Sequence, residues 1–404
     1  MNFSAMDHDD EVPASEKDEE SISDDPPEIE GIEPETTGNS TWENKARQLM
    51  RQIVTQKVDL PISKLAAMID DGEIDLAPTF QRRLRWTRSQ QSRLIESVIM
   101  NVPIPPVFLG EYEPGKYLVL DGRQRLTALY EYLTGNFKLS GLEVWTELVG
   151  KKFSNLQKMH VQGLSSPAQA ITRRFVPAVL ILHESVPEVK YEVFDRLNTG
   201  GVIAEPMEVR NAIYYGPFNK LLHEASELEE FRRLWGIPLD TKGRERNGIY
   251  KRMADLEMVL RFFAFQDYKK FDGSLKVFLN NFMSKRNEEY TTNKTLLDKD
   301  HELFLETMKR VLFLLGDKAL HRPISKDSVS KFPSAPYADA ILYTVSKLSN
   351  EQITEKNGLK IRETLCNLCL NDKAFVKSIT VGTNARTAAD YRIETVVNAI
   401  LVKQ

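Results

Sequence analysis

The chain has 404 residues, of which 41% are hydrophobic and 28% are charged, which is ordinary for a globular protein and long enough for two domains. No run approaches the ~20 apolar residues that cross a bilayer, and the amino terminus lacks the basic and apolar regions of a secretory signal. The two cysteines, Cys366 and Cys369, exclude a disulfide framework and indicate a reducing compartment. We therefore expect a cytoplasmic protein without a membrane span.

The formal net charge of −4 is distributed unevenly along the chain. Residues 1–40 hold fourteen Asp and Glu side chains and one Lys, a local charge of −13, whereas the remaining 364 residues carry +9. The acidic stretch has few large apolar residues and cannot bury enough surface to offset its chain entropy, which predicts a disordered tail. We interpret it as a solubilising extension; the alternative is an acidic mimic of nucleic acid that shields the basic body.

Between residues 41 and 215, helical and extended patterns alternate. A capping box is predicted at Thr87 and Gln90, because a Gln three residues after a Thr can cap the start of a helix. In chain order, the predicted elements are a helix at 62–72, an extended piece at 74–80, a helix from Thr87 to Pro103, hairpin strands at 106–112 and 116–120, a helix at 126–133, a strand at 176–183, and helices at 187–197 and 205–211.

Beyond residue 216, long helical periods dominate and no convincing strand is visible. The predicted helices lie at 243–267, 273–286, 296–315, 335–349, 357–371 and 385–402. In the first of them, ion pairs are expected among Arg252, Asp255, Glu257 and Arg261. The predicted class is α+β, with a small mixed sheet and helices at 41–215 followed by an all-helical carboxy-terminal domain at 216–404.

The strongest local signal is Asp121-Gly122-Arg123-Gln124-Arg125, which directly follows the second hairpin strand. A glycine there lets the chain turn sharply, so that the first N–H groups and the positive end of the next helix form an anion site. Arg123 and Arg125 add guanidinium groups suited to phosphate, and Asp121 can bind a divalent cation or orient a water. An ordinary tight turn whose arginines pair with carboxylates accounts for the same residues equally well.

Three blocks of sequence occur in the order and spacing of the GmrSD-type restriction endonuclease amino-terminal domain family, which the chain resembles. The blocks are PTFQRRLRW (78–86), YLVLDGRQRLTALY (117–130) and EVFDRLNTGGVIAEPMEVRNA (192–212). The family's second block usually reads Asp-Gly-Gln-Gln-Arg, so Arg123 is a departure that adds charge. By themselves, the first block also suits a solvated arginine cluster, and the third suits a plain helix end.

The resemblance implies a ParB/sulfiredoxin-like, nucleotide-binding domain. The nucleotide and phosphate contacts that it implies are Gly122, Arg123, Gln124, Arg125, Gln81, Arg82, Arg196, Asn198, Thr199, Arg210 and Asn211. Asp121 and Glu208 are the implied catalytic residues, Asp121 being also the metal ligand.

The implied function is to bind, and hydrolyse, a nucleoside triphosphate (NTP) with Mg²⁺ in a restriction or anti-phage defence system that acts on DNA. No stretch fits a Walker A loop, and the six histidines are scattered singly rather than clustered as in an HNH nuclease. Any triphosphate chemistry would therefore use the Asp121–Arg125 segment, with an HNH nuclease as a separate partner. Two alternatives stay open: a metal-dependent DNA endonuclease, and a non-catalytic module that binds nucleotide or modified DNA and recruits an HNH nuclease.

Overall fold

The computed structural model describes residues 29–30, 54–76, 86–159, 166–182, 185, 191 and 205–402. The strands are β1 Thr55–Pro61, β2 Ile74–Asp75, β3 Val107–Glu113, β4 Lys116–Asp121, β5 Phe175–Ile181, β6 His321–Pro323 and β7 Val329–Pro333. The helices before residue 216 are α1 Ile62–Asp70, α2 Arg88–Ile99, α3 Arg123–Leu133, α4 Phe153–Gln157, α5 Pro167–Arg173 and α6 Pro206–Ile213.

The remaining helices form the carboxy-terminal region. They are α7 Pro217–Ser226, α8 Glu229–Trp235, α9 Thr241–Arg246, α10 Gly248–Lys251, α11 Ala254–Phe265, α12 Leu275–Thr292, α13 Lys294–Leu315, α14 Ala335–Ser346, α15 Glu355–Asn371, α16 Lys373–Thr380 and α17 Arg386–Val397. A π-helical turn at Asn398–Val402 follows the last of these. No helix in the described part of the chain is long and apolar enough to span a membrane.

Strands β1 to β5 form one mixed sheet in the order β1-β5-β3-β4-β2. The β1–β5 and β3–β4 pairs are antiparallel, whereas β5–β3 and β2–β4 are parallel. The predicted hairpin is confirmed, and its turn contains Gly115 with φ +75°. The capping box at Thr87 and Gln90 is confirmed as well. Strand β1 was missed because TQKVDLP is a mostly exposed edge strand with little apolar alternation.

Both faces of this sheet are buried. On one face Val107, Leu109 and Val119 join a core with the apolar sides of α1, α2, α3 and α5. On the other face Leu120 and Ile181 join the larger core of the carboxy-terminal region, to which α6 also belongs. Alternate residues of adjacent strands therefore point into two different cores, and the carboxy-terminal helices cover one side of the sheet.

The carboxy-terminal region is helical, but the prediction that it contains no strand is wrong. Strands β6 and β7 form an antiparallel pair, too short to show a sequence period. The predicted helix at 243–267 is broken into α9, α10 and α11, because Asn247 ends the first and caps the second and Met253 takes a left-handed conformation with φ +54° before the third. The α+β class, with a small sheet and a helical carboxy-terminal region, is confirmed.

A buried ionic cluster holds three distant helices of this region together. Arg261 of α11 donates to both Asp339 carboxylate oxygens, at 2.6 and 3.1 Å, and also lies 3.9 Å from Glu257, one of its predicted partners. Arg392 of α17 donates to Asp339 at 2.9 Å and to the Thr383 carbonyl at 2.7 Å. All of these side chains are buried, so removal of one partner would leave an uncompensated charge.

Glu96 of α2 fixes the loop that follows α3. Its buried carboxylate accepts from the backbone amides of Val144 and Trp145 at 2.9 and 2.7 Å, and from Glu143 at 3.4 Å. Burial by itself would raise the pKa of Glu96, but the three amide donors and nearby Arg93 outweigh it, and the pKa is lowered.

We expect Glu96→Gln to reduce the free energy of unfolding by about 1–3 kcal/mol at pH 7, because an amide group replaces an anionic acceptor. The Glu96 contribution is present above the ordinary carboxyl pKa of 4.5 and is lost as the pH falls through the lowered value of the folded state. The difference between wild type and variant in urea unfolding should therefore shrink below pH 4.5. Glu113→Gln, which removes an exposed pair with Lys116, is the control and should change stability by less than about 1 kcal/mol.

Candidate functional site

The turn between β4 and α3 is built around a left-handed glycine. Asp121 is the last residue of β4, and Gly122 is the N-cap of α3 with φ +88° and ψ +13°. The Leu126 amide donates to the Gly122 carbonyl at 2.9 Å, which starts the helix immediately after the strand. The amides of Arg123 to Arg125 thus lie in the first helical turn, where no carbonyl of the same helix is available to them.

Close packing as well as dihedral angle requires a glycine at position 122. A Cβ atom there would lie 2.5 Å from Cγ1 and 3.0 Å from Cβ of Val107, a fully buried residue at the start of β3. The backbone of the turn therefore touches the neighbouring strand, and the helix start is held at the edge of the sheet.

Arg125 is held in place by two partners at this turn. Its Nη2 donates to the Asp121 carboxylate at 2.7 Å, and its Nη1 donates to the Pro105 carbonyl at 2.7 Å. The Arg125 side chain is 13% exposed and that of Asp121 is 42% exposed. The guanidinium is thus fixed beside the first turn of α3 and is partly neutralised by the carboxylate one turn before it, as the tight-turn interpretation anticipates.

Other contacts of α3 connect this turn to its surroundings. The Gln124 Oε1 accepts from the Trp86 amide at 3.1 Å, so the turn contacts the end of the PTFQRRLRW block. Arg88 of α2 pairs with Glu131 at 2.7 Å, and Tyr130 donates to Asp70 at 2.6 Å. The helix is therefore fixed by neighbours along its length.

Helix α6 carries three of the predicted site residues and packs against β3 and β4. Glu208, in its first turn, is half-buried. Arg210 is completely buried: its Nε donates to Asn280 at 2.9 Å, and its Nη1 lies 3.8 Å from the Glu257 carboxylate.

Asn211 is also buried. It donates to the Met253 sulfur at 3.5 Å, and its Oδ1 accepts from Asn219 at 2.9 Å. Arg210 and Asn211 thus attach α6 to the carboxy-terminal helices, and direct contact with a nucleotide would require these bonds to break.

Two carboxylates lie at the amino end of α6. Burial raises the pKa of Glu205, nearby Arg252 opposes this effect, and Glu208 adds to it. Glu208 therefore has a second acidic group as a neighbour, which the sequence interpretation did not include.

The structure brings together Asp121, Gly122, Arg123, Gln124 and Arg125 in one turn, and it places α6 beside the strands that lead to that turn. Gln81, Arg82, Arg196, Asn198 and Thr199 lie outside the described residues. Sequence reasoning missed the Pro105 carbonyl, Val107 and the Trp86 amide. The closely spaced prolines at 103, 105 and 106 were the only sequence signal that this segment would lie close to the β4–α3 turn.

Tyr191 is the described residue that directly precedes the third sequence block, 192–212. Its ring is buried and lies 5.9 Å from the Arg210 guanidinium carbon and 4.6 Å from the Lys276 ammonium. Cation–π contacts from α6 and from α12 of the carboxy-terminal region thus hold the Tyr191 ring in place.

A family model described as the GmrSD restriction endonuclease N-terminal domain matches residues 62–215. Residues 62–215 are thus similar to a GmrSD N-terminal domain. The match begins at the first residue of α1 and includes the whole β4–α3 turn and helix α6. Every candidate site residue therefore lies within it. No curated protein sequence matches the chain at a significant level.

A separate cavity of about 420 Å³ lies in the carboxy-terminal region, outside the matched residues 62–215, against Phe278 and Phe282 of α12. Its basic side chains have acidic partners: Lys270 pairs with Asp267 at 2.6 Å, and Arg286 pairs with Glu289 at 3.2 Å. Since its charges are balanced in this way, the cavity does not favour a polyanion.

Replacing Gly122 should distort the turn. We expect Gly122→Ala to lower the free energy of unfolding by about 2–4 kcal/mol, from left-handed strain and overlap with Val107. Gly115→Ala is the matched control, since Gly115 has φ +75° and no atom within 4 Å of a built Cβ. It should cost only the strain, about 1–2 kcal/mol. Equal losses in urea unfolding would contradict the close contact with Val107.

Arg210→Met keeps most of the side-chain volume and removes the charge. It leaves Asn280 and the buried Glu257 without this partner, so we expect a loss of about 2–4 kcal/mol in the free energy of unfolding. Arg233→Met, which breaks an exposed pair with Asp317, should cost less than about 1 kcal/mol. The free energies of unfolding of both variants are measured in urea. Similar losses would show that Arg210 does not stabilise the contact between α6 and the carboxy-terminal helices.

Proposed function

We propose that the chain is the nucleotide-binding component of a DNA restriction or anti-phage defence system, and that it binds an NTP at the Asp121–Arg125 turn. The observation that carries the proposal is the turn itself: a left-handed Gly122 opens an eleven-residue helix, with the Arg125 guanidinium fixed beside its first turn. The match of residues 62–215 to the N-terminal domain of a restriction endonuclease supports the biological setting.

In this proposal the domain at 41–215 is ParB/sulfiredoxin-like and the region at 216–404 is a second, mainly helical domain. The mixed five-stranded sheet with helices on one face agrees with the first part. The covering of the other face by the carboxy-terminal core gives the second domain a direct route to sense the nucleotide-binding domain.

Phosphate oxygens would lie at the amino end of α3. Backbone amides in the first turn donate to them, and the positive end of the helix dipole favours their charge. Arg125 would keep its bond to the Pro105 carbonyl and turn part of its guanidinium from Asp121 to phosphate, while Arg123 adds a second cation. The Asp121–Arg125 pair then keeps the guanidinium oriented before ligand arrives, which lowers the entropy lost on binding.

Asp121 would hold a Mg²⁺ ion, with Glu208 as a second acidic group that orients water. In the described ranges, no group of three or more His, Cys, Asp or Glu side chains is placed to hold a metal. A single carboxylate nevertheless fits Mg²⁺, which in nucleotide sites takes most of its ligands from phosphates and waters. Bound there, the ion would neutralise phosphate charge.

DNA and a separately encoded HNH nuclease are the proposed macromolecular partners. The buried contacts of Arg210 and Asn211 give a physical route between nucleotide and partner, because they join α6 of the nucleotide-binding domain to α11 and α12. A shift of α6 on nucleotide binding would therefore displace the carboxy-terminal helices that contact it.

The test is calorimetric titration of the four common NTPs, with and without Mg²⁺, into wild type, Arg125→Ala and Arg88→Ala. Arg88 is the matched control, because it lies like Arg125 in the first turn of a helix and pairs with a carboxylate at 2.7 Å, but its helix follows no left-handed glycine. We expect Arg125→Ala to weaken binding roughly tenfold to a hundredfold, the worth of a charged hydrogen bond. Arg88→Ala should leave the affinity unchanged, and circular dichroism checks the fold of both.

Unchanged affinity in Arg125→Ala would contradict the assignment of the site. Incubation of the protein with plasmid and Mg²⁺ or Mn²⁺ then separates the functions. Phosphate release from NTP without DNA cutting supports a nucleotide hydrolase, and cutting without nucleotide supports a metal-dependent endonuclease. Binding without turnover supports a module that recruits a nuclease.

A further inference from the structure

Two residues of the acidic amino-terminal segment are packed against the carboxy-terminal helices. The Ile29 side chain is 2% exposed and belongs to the core of that region. The Glu30 amide donates to the Pro333 carbonyl at 2.8 Å, and the Glu30 carbonyl accepts from the Ala335 amide at 3.0 Å, which makes a parallel bridge to Ser334. This contact could not be predicted from the sequence, since the segment at 1–40 has the composition of a disordered tail.

The site that receives this dipeptide lies where β7 ends and α14 begins. Ala335 is the first residue of α14, so its amide has no carbonyl of its own helix to donate to. The N-cap residue Ser334 makes no side-chain capping bond. The Glu30 carbonyl therefore accepts from the first amide of the helix, which an N-cap side chain does not reach.

The site also has two buried polar atoms that lack a hydrogen bond among the described residues. Ser334 is 0% exposed, and no other described residue forms a hydrogen bond with its Oγ. The Arg322 Nε is likewise buried with no hydrogen bond among the described residues, but it forms an ion pair with the Glu30 carboxylate at 3.7 Å. A buried hydroxyl and a guanidinium beside a backbone donor and acceptor are the groups that bind an extended peptide with an acidic side chain.

We propose that this notch, formed by Arg322, Pro333, Ser334 and Ala335, is a docking site for a short extended peptide with an aliphatic residue followed by an acidic one. Its occupant is the chain's own Ile29–Glu30 segment, bound in cis. The two main-chain bonds set the direction of the peptide, the apolar core receives the Ile29 side chain, and Arg322 selects the acidic residue. This proposal is independent of nucleotide binding.

The consequence is a second connection between the two halves of the molecule. Residue 30 is attached to the carboxy-terminal region, whereas residue 55 begins β1 of the sheet. Residues 30 and 55 are thus attached to different halves of the molecule.

The experiment is hydrogen exchange by mass spectrometry on full-length protein, followed at the amides around Ala335. We expect Ile29→Asp, which places a carboxylate in the apolar pocket, to speed exchange of the Ala335 amide at least tenfold. Ile32→Asp is the matched control, since Ile32-Glu33 repeats the same dipeptide three residues later. It should leave the exchange unchanged. Ile29→Ala gives a milder variant with the same direction of change, should Ile29→Asp disturb folding.

A synthetic peptide of residues 25–36, DPPEIEGIEPET, provides the second arm. Added to the Ile29→Asp protein, it should restore protection of Ala335, and the same peptide with Asp in place of Ile29 should not. Unchanged exchange in both Ile29 variants would overturn the proposal. Protection in wild type that disappears on dilution, together with a doubled mass in light scattering, would overturn the cis assignment in favour of a second copy.

Discussion

The burial of both faces of the five-stranded sheet is the constraint on which the rest of the molecule depends. Val107 and Val119 point into the core shared with α1, α2 and α3, whereas Leu120 points into the carboxy-terminal core. A fragment that ended at residue 215, where the family match ends, would keep α6 on the second face but lose the carboxy-terminal helices that complete that core. The unit that folds is therefore larger than the unit that the family model recognises.

This two-sided burial also determines the shape of the candidate site. The turn after β4 emerges between the two cores, and Val107 presses against it so closely that only glycine fits at position 122. The helix start is consequently fixed to the sheet, and Asp121 and Pro105 fix the Arg125 guanidinium. In the proposed function, a bound anion would compete with Asp121 for the Arg125 guanidinium. The Asp121 pair orients the guanidinium in advance but neutralises part of its charge.

Local features of the fold could be read from the sequence because their signals are local. The capping box at Thr87, the hairpin and the strand–Gly122–helix turn each depend on residues within a few positions of one another. Strand β1 and the β6–β7 pair could not be found in this way. An edge strand shows little alternation, and a strand of three to five residues shows no period.

The roles of buried polar residues depend on partners distant in the sequence. Glu257 and Arg261 were paired by their spacing on one helix, but the closer partner of Arg261 is Asp339, 78 residues away. Arg210 stands in a family block and was expected to contact nucleotide, yet its side chain joins α6 to α11 and α12. Nothing in the residues near Arg210 shows which surface will cover it, and only the tertiary packing decides.

The Arg261–Asp339–Arg392 cluster differs in one respect from the cations of the β4–α3 turn. Its side chains are almost fully removed from solvent, so mobile ions cannot approach them to screen the attraction. Phosphate contacts at an exposed helix end, by contrast, weaken steeply as ionic strength rises. Concentrated salt should therefore weaken the proposed anion binding while the carboxy-terminal helices keep their arrangement.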